Sequence, residues 1–354
     1  MADETRLDVR AFGAVGDGKE DETAAIQKAI DAAAETGGTV FLPAGSYACS
    51  TLRMRPHVGL LGHPTWSYRD FGGAVLRLVD DAASCLLDLT GALGATVNGL
   101  CLDGAKLGDG VHGILIDKPD YGKEEDVPRI ERCRVAHFTG DGIRFSRIWC
   151  FIVRHCMLAR NRGCGLWVRG WDGFILDNWL SGNREAGYGA YEENASVTMT
   201  GNRIEWNAAG GIVVKGGNHY NIGNNYIDRS GGPGITWLPR GDVWGQVVSA
   251  TGNVIYRSGK PDWRTLEEHE SAHARFENVR GLSFTGNAMN VGRDDGGKGE
   301  WSPRYGIVYG RLENAAIQGN VLHSGALREL FVDLGGHGEN VIVRDNPGSL
   351  FREP

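Results

Sequence analysis

The sequence predicts an all-β protein, a single-stranded right-handed parallel β-helix of about ten coils with an N-terminal capping α-helix. Three observations carry this. Glycine supplies 54 of 354 residues against only 11 prolines, about twice the ordinary glycine share without collagen-like or Pro-rich character. A glycine followed by alternating apolar residues recurs at Gly142, Gly165, Gly189, Gly211 and Gly234, with spacings of 23, 24, 22 and 23 residues. An asparagine followed by a short strand runs in phase with it, at Asn178, Asn202, Asn225, Asn253, Asn287 and Asn320. Two independent marks sharing one period signal stacked structural repeats.

The elements follow in order. Asp21 to Ala34 places Ile26, Ala29, Ile30 and Ala33 on one helical face, with Asp21 as N-cap and Gly37-Gly38 as stop. Such a helix can cover the apolar core and backbone edges that a solenoid leaves open at its end. Thr39 to Gly45 reads as the first strand and its turn. In the clearest repeat, Gly211–Val214, Asn221–Gly223 and Tyr226–Asp228 are strand-sized and separated by Gly/Asn-rich turns. None is long enough to form a sheet alone, but each can hydrogen-bond to the coils above and below. Right-handed winding is the default for parallel crossovers. The Asn positions suit a tight bend, because Asn tolerates left-handed backbone angles and its amide can bond the next Asn of the stack. The chain therefore reads as one β-helix domain, 1–354: cap and first strand in 1–48, coils in 49–346, a tail in 347–354. Insertions near 238–249, 257–272 and 293–304 interrupt the rhythm.

Composition narrows the function classes. Hydrophobic residues at 41% and charged residues at 23% suit a folded chain with a large core. No apolar run is long enough to span a bilayer, so no membrane partner is expected. The net charge of −7 speaks against a nucleic-acid partner. Residues 1–10 show no secretory leader, which leaves localisation open between a processed exported protein and a cytoplasmic one. Seven cysteines without a CxxC motif, most of them in apolar strand-like runs, read as buried free thiols.

The segment Phe12-Gly13-Ala14-Val15-Gly16-Asp17-Gly18, the helix, and Gly37-Gly38-Thr39-Val40-Phe41-Leu42-Pro43-Ala44-Gly45-Ser46-Tyr47 resemble the opening of the pectate-lyase-like right-handed β-helix superfamily of carbohydrate-active proteins. That opening is shared by polysaccharide lyases, some glycoside hydrolases, alginate epimerases and phage tailspikes. The resemblance is specific over roughly the first fifty residues; beyond them only the coil rhythm matches. It implies a fold and a carbohydrate-active neighbourhood, not a reaction. The Asn-Thr-Asp and Asp-Asp segments of the galacturonan hydrolases are missing from the central coils. Asp294-Asp295 lies in an insertion and Gly336-His337-Gly338 stands alone near the end. Gly140 to Ser146 lacks the closely spaced Tyr, Asp and His of the alginate epimerases. Neither activity is carried over.

Candidate chemistry then rests on which side chains face outward. Counting from each coil glycine gives two outward files, Arg144, Trp167, Tyr191, Val213, Thr236 and Ser146, Arg169, Glu193, Lys215, Leu238. Neighbours in a file lie roughly 4.8 Å apart. Trp167, Tyr191, Arg144, Arg169 and Lys215 supply the aromatic faces and charges of a sugar-binding groove, with Glu193 and Asp172 as its acidic centre. A solvated sheet face with a cross-strand charge ladder is the alternative. A second face offers Ser181, Glu205, Asp228 and Tyr256. Glu205 and Asp228, one coil apart, suit the acid and nucleophile of a retaining glycosidase, or else splay into water. The insertions carry Asp242, Trp244, Trp263, Glu267, Glu268, His269, Glu270 and His273 without HExxH-type metal spacing. They read as solvated loops or a subunit contact, and the tailspike resemblance adds a homotrimer as one arrangement.

The first expectation is an enzyme cleaving glycosidic bonds of a polysaccharide or oligosaccharide, a glycoside hydrolase drawing two carboxylates from Glu193, Asp172, Glu205 and Asp228. The alternative is a polysaccharide lyase acting on an uronate, with Arg169, Lys215 or Tyr191 as base. No cofactor is expected for hydrolysis; the lyases of the superfamily often use Ca²⁺. A non-catalytic glycan-binding β-helix is the third reading.

Overall fold

Alternation of small apolar and polar residues over short segments closed by glycine or asparagine produces strands too short to pair with their sequence neighbours, so each pairs one coil away. The computed structural model describes residues 6–259, 267–291 and 302–352. The chain divides into two units, residues 1–174 and 175–354.

In the first unit, three stacks of parallel strands repeat. One runs through Arg6–Asp8, Thr39–Phe41, Gly59–Leu61, Thr96–Asn98, Arg129–Glu131 and the end of Ile143–Arg154. Its central register, Val40, Leu60, Val97, Ile130 and Val153, is a fully buried file. A second stack joins Leu52–Arg53, Cys85–Asp88, His112–Asp117 and the start of Ile143–Arg154. A third joins Gly45–Cys49, Ala74–Leu78, Leu100–Asp103, Arg134–Ala136 and Met157–Ala159. The helix spans Thr23–Ala34 and buries Ile26, Ala29, Ile30 and Ala33 as the sequence predicts. Its N-cap is one position later than expected. Glu22 occupies the N-cap and turns its carboxylate to the amides of Val15 and Gly16, while Asp21 accepts from the Thr23 amide. Gly37, at φ +69°, ends it.

The second unit repeats the pattern. Its first stack comprises Ala186–Ala190, Gly210–Lys215, Ile235–Leu238, Ala272–Thr285, Tyr305–Glu313 and Glu329–Asp333. Its third comprises Trp179–Ser181, Arg203–Glu205, Tyr226–Asp228, Val254–Tyr256, Ala288–Asn290 and Val321–Leu322. The inward file Leu180, Ile204, Ile227, Ile255, Met289 and Leu322 is buried throughout, each side chain contributing about 1.5–3 kcal/mol.

The asparagines form a ladder longer than the repeat alone shows. From Asn178 through Asn202, Asn225, Asn253, Asn287 and Asn320 to Asn346, each backbone N–H and each Nδ2 donates to the Oδ1 of the next asparagine. These asparagines do not supply the left-handed backbone expected of them. That falls one residue earlier, at Asp177, Gly201, Asn224, Gly252, Gly286, Gly319 and Asp345. The asparagine instead satisfies the donors that the bend removes from the ladder of strands. All seven cysteines are free and six are buried.

Candidate functional site

The outward files depend on the coil glycine, and here the structure corrects the sequence reading. Gly189, not Tyr191, pairs with Val213, while Tyr188 pairs with Ile212 and Ala190 with Val214. The glycine equivalent to Gly211 is therefore Gly187 rather than Gly189, a slip of two residues that keeps the alternation but shifts the register. Tyr188 is fully buried in the core, where its hydroxyl meets that of Tyr220 at 3.0 Å. Tyr191 follows the strand end and stands beside Lys215, whose Nζ lies 5.7 Å from the ring centroid. Glu193 falls in the turn beyond, outside the Lys215 file, with Arg240 at 3.8 Å.

The true outward file of the second unit runs Val213, Thr236, Arg275, and its register continues to Val308, which is buried against Ala272 and Tyr305. Val213, Thr236 and Arg275 floor a cleft of about 270 Å³ whose lining also includes Glu185, Tyr191, Lys215 and Glu270. Arg275 is fixed by Glu277, whose Oε1 accepts from both Nε and Nη2 at 2.7 Å. Glu270 closes the short 3-10 turn Glu268–Glu270, whose Glu267 and Glu270 reciprocally cap its start. The site thus unites an aromatic hydroxyl, two cations and two carboxylates around one opening. Sequence reasoning found Tyr191, Lys215 and Thr236 and named Glu270, but missed Glu185 and Arg275. Arg275 follows Thr236 by one coil in space but by 39 residues in sequence, because the insertion between them hides the period. Glu185 precedes its glycine in a turn that alternation does not cover.

The second predicted face has the expected register, with Ser181, Glu205, Asp228, Tyr256 and Asn290 in one file. Glu205 and Asp228 do not splay into water, nor do they face a groove. Glu205 is 5% exposed and accepts from Trp179 Nε1 at 2.6 Å and Arg203 Nε at 2.8 Å. Asp228 is fully buried and paired with Arg229. The left-handed bends at Trp206, Arg229 and Arg257 turn these side chains back over the file. Arg229 lies over the rings of Trp206 and Tyr256, and Arg257 over Tyr256. This is a neutralised wall, and the expectation of an acid–nucleophile pair there is corrected.

In the first unit, Trp167 points outward but is only 5% exposed, because the Arg144 guanidinium covers its ring at 3.8 Å. It is not the open sugar platform the sequence suggested. Arg144 also donates to Asp141 at 2.9 Å, and Asp141 accepts from the Cys164 amide at 2.7 Å. The Asp141 amide donates to His112 Nδ1 at 2.9 Å, leaving the ring proton on Nε2. Burial lowers the pKa of His112. Neither His112 nor Asp141 was singled out from sequence, as one lies in an early strand and the other in a glycine-rich turn. Arg169 is half-buried on the same strand as Trp167. Asp172, in a left-handed bend, accepts from Trp149 Nε1 at 3.0 Å. Asp172 and Glu193 belong to different units and each is held by its own neighbours. Of the insertion residues, Trp244 lies under Arg280, Glu268 accepts from the Tyr305 hydroxyl, and His273 is fully buried. Trp263, Asp294 and Asp295 lie outside the described residues.

Two family models match the chain. "Rhamnogalacturonase A/epimerase, pectate lyase-like" covers residues 7–68, and "Right handed beta helix region" covers residues 107–246. Mannuronan C5-epimerase AlgE2 of Azotobacter vinelandii is 29% identical over 252 residues, which is 64% of this chain and 22% of that protein. Alginate lyase 7 of the same organism is 43% identical over 81 residues, 20% of this chain and 9% of the lyase. The chain thus spans about a fifth of the length of the first curated relatives it matches. Among solved structures, the Azotobacter vinelandii mannuronan C-5 epimerase AlgE4 A-module aligns with a TM-score of 0.68 at 18% identity, covering 97% of this chain and 99% of the module. Parallel stacks built coil upon coil, an asparagine ladder along the bends and the structural match give the fold as a parallel β-helix, and the two family models make the chain similar to the pectate-lyase-like right-handed β-helix superfamily.

Proposed function

We propose that the protein is a polysaccharide-modifying enzyme that acts on an uronate-containing glycan in the cleft of the second unit, removing the proton beside the uronate carboxylate. The observation that carries this is the convergence of Lys215 and Arg275 with Tyr191 on one opening. An α-proton of a carboxylate is removed only when the carboxylate charge is countered, and two cations on one floor supply that. Tyr191 is the group of this cleft suited to carry the proton. In elimination, the C5 proton leaves to the base, its electron pair forms the C4–C5 double bond, the C4–O bond breaks, and the departing oxygen takes a proton. In epimerisation, a proton returns to C5 from the opposite face. The similarity to a mannuronan C5-epimerase and an alginate lyase supports this order over hydrolysis. So does the neutralised state of Glu205 and Asp228. Hydrolysis keeps one specific support, the presence of Glu185 and Glu270 in the same cleft. Among the described residues no three His, Cys, Asp or Glu side chains gather as a metal centre, so no step is routed through calcium.

The test is incubation with mannuronan and a panel of neutral and acidic glycans in deuterated water. Deuterium at C5 without chain cleavage marks epimerisation, unsaturated-uronate absorbance marks elimination, and reducing ends without absorbance mark hydrolysis. The expected result is one of the first two, lost at least 100-fold in Lys215→Met. Reducing ends from a neutral glycan would overturn the proposal.

A further inference from the structure

Thr236 sits at the middle of the cleft floor, between Val213 and Arg275 in register, and it is 5% exposed. Its Oγ1 has no hydrogen-bond partner among the described residues. Elsewhere in this unit, buried asparagines at the bends, Asn202 and Asn225, have their amides bonded to the next asparagine. Thr236 differs from the other partnerless buried groups in lining the cleft. A buried hydroxyl without a partner costs free energy that the fold does not recover. One χ1 step exchanges the Oγ1 and methyl positions of a threonine, so the hydroxyl can be turned toward the opening when an acceptor arrives there.

The acceptor is defined by what surrounds it. Arg275 has five N–H donors, of which Glu277 engages those on Nε and one on Nη2. The remaining donors have no other partner among the described residues. Lys215, exposed at the end of its strand, lines the same space. Both cations line one opening, which suits a carboxylate, and Glu185 and Glu270 at the same opening count increasingly against a ligand group as its negative charge grows.

We infer that Thr236, Arg275 and Lys215 form a carboxylate subsite that makes the cleft select acidic over neutral sugar residues, with the Thr236 hydroxyl donating to the carboxylate. This rests on the uronate reading above and adds to it a specificity-determining residue. A site built to hydrogen-bond a ligand group discriminates strongly against an analogue lacking that group, because the buried partner is then left unpaired.

The experiment is calorimetric titration of the whole chain with a mannuronate trisaccharide and with its carboxyl-reduced counterpart, mannotriose. Wild type binds the acidic trisaccharide at least tenfold more tightly than the neutral one. Thr236→Val, which keeps the shape, loses about tenfold on the acid and nothing on mannotriose, whereas Thr236→Ser keeps the preference. Lys215→Met, a change at an exposed site that leaves the fold intact, also loses affinity for the acid alone. If wild type prefers the acid and both Thr236→Val and Lys215→Met prefer it equally, the subsite is wrong while the uronate reading stands. If wild type shows no preference for the acid, the subsite is wrong; if it also converts only neutral glycans, the uronate reading falls with it.

Discussion

Two outward files of the second unit obey one rule of alternation and end in opposite states. Along Glu205 and Asp228, each carboxylate is paired with an arginine of its own face, and left-handed bends turn Arg229 and Arg257 back over the surface. Along Val213, Thr236 and Arg275, with Lys215 beside them, cations face an opening and the Thr236 hydroxyl has no partner among the described residues. Carboxylates one coil apart are therefore no mark of catalysis by themselves. Arg275 is itself paired with Glu277, yet it keeps further N–H donors toward the opening, and Lys215 lines the same opening. What separates a wall from a site is whether every donor and charge is used within the protein or some are left for a ligand. The sharpest way to break this contrast is to unmatch the wall. Asp228→Ala leaves the Arg229 guanidinium 15% exposed without its counter-ion, and we expect a loss of about 3–5 kcal/mol in the denaturant unfolding free energy. Glycan conversion per folded molecule stays unchanged. A loss of conversion at unchanged stability would make Asp228 part of the chemistry and erase the distinction.

His273 supplies the complementary case, a buried ionisable group kept neutral rather than paired. Burial pushes its pKa down to about 3, while in the unfolded chain it lies near 6.5. Between these values the unfolded state binds the extra proton. Stability therefore falls as pH drops through this window, by up to about 1.4 kcal/mol per unit. At pH 5 the His273 share of the loss is about 2 kcal/mol, and it disappears in His273→Leu when the pH dependence of that variant is compared with wild type. A variant with an unaltered slope between pH 6.5 and 5 would place the ring in contact with water.

The coil architecture was legible because it depends on local rules that repeat. The inward file Ile204, Ile227, Ile255 and the asparagines beside it announce themselves every 23 to 34 residues. The site was legible only where the rhythm held. Tyr191 and Lys215 were found, yet the pair Gly187 and Gly189 offered two equally good coil starts, and only the burial of Tyr188 decides between them. Arg275 was lost behind an insertion, and although the period sets Arg144 next to Trp167 in one file, it does not say that the guanidinium lies flat over the ring. Alternation tells which way a side chain points. It does not tell what lies on top of it.

Glu205→Gln measures a smaller part of the wall. The amide oxygen can still accept from Trp179 Nε1, so only the charge opposite Arg203 is lost, and that arginine is half exposed. We expect about 1 kcal/mol, read as a shift of the denaturant midpoint at constant slope. A loss as large as that of Asp228→Ala would mean that the pair acts as one coupled network.

The smallest effect should come from Glu193, the residue the sequence favoured as acidic centre. Its side chain is 43% exposed, its arginine partner stands 3.8 Å away, and it is not among the residues lining the cleft. An exposed pair at that distance contributes at most about 0.5 kcal/mol. Glu193→Gln should therefore leave both the unfolding free energy and the conversion rate within about twofold of wild type. Tyr191, two residues earlier, gives the contrast: Tyr191→Phe removes the only hydroxyl that the proposed proton transfer uses, and should cost on the order of 100-fold in kcat. Measured side by side on mannuronan, these two variants decide where the reacting group stands. If Glu193→Gln is the one that falls, the carboxylate turns over the strand end toward the substrate, and the register correction that moved Tyr191 beside Lys215 loses its functional meaning.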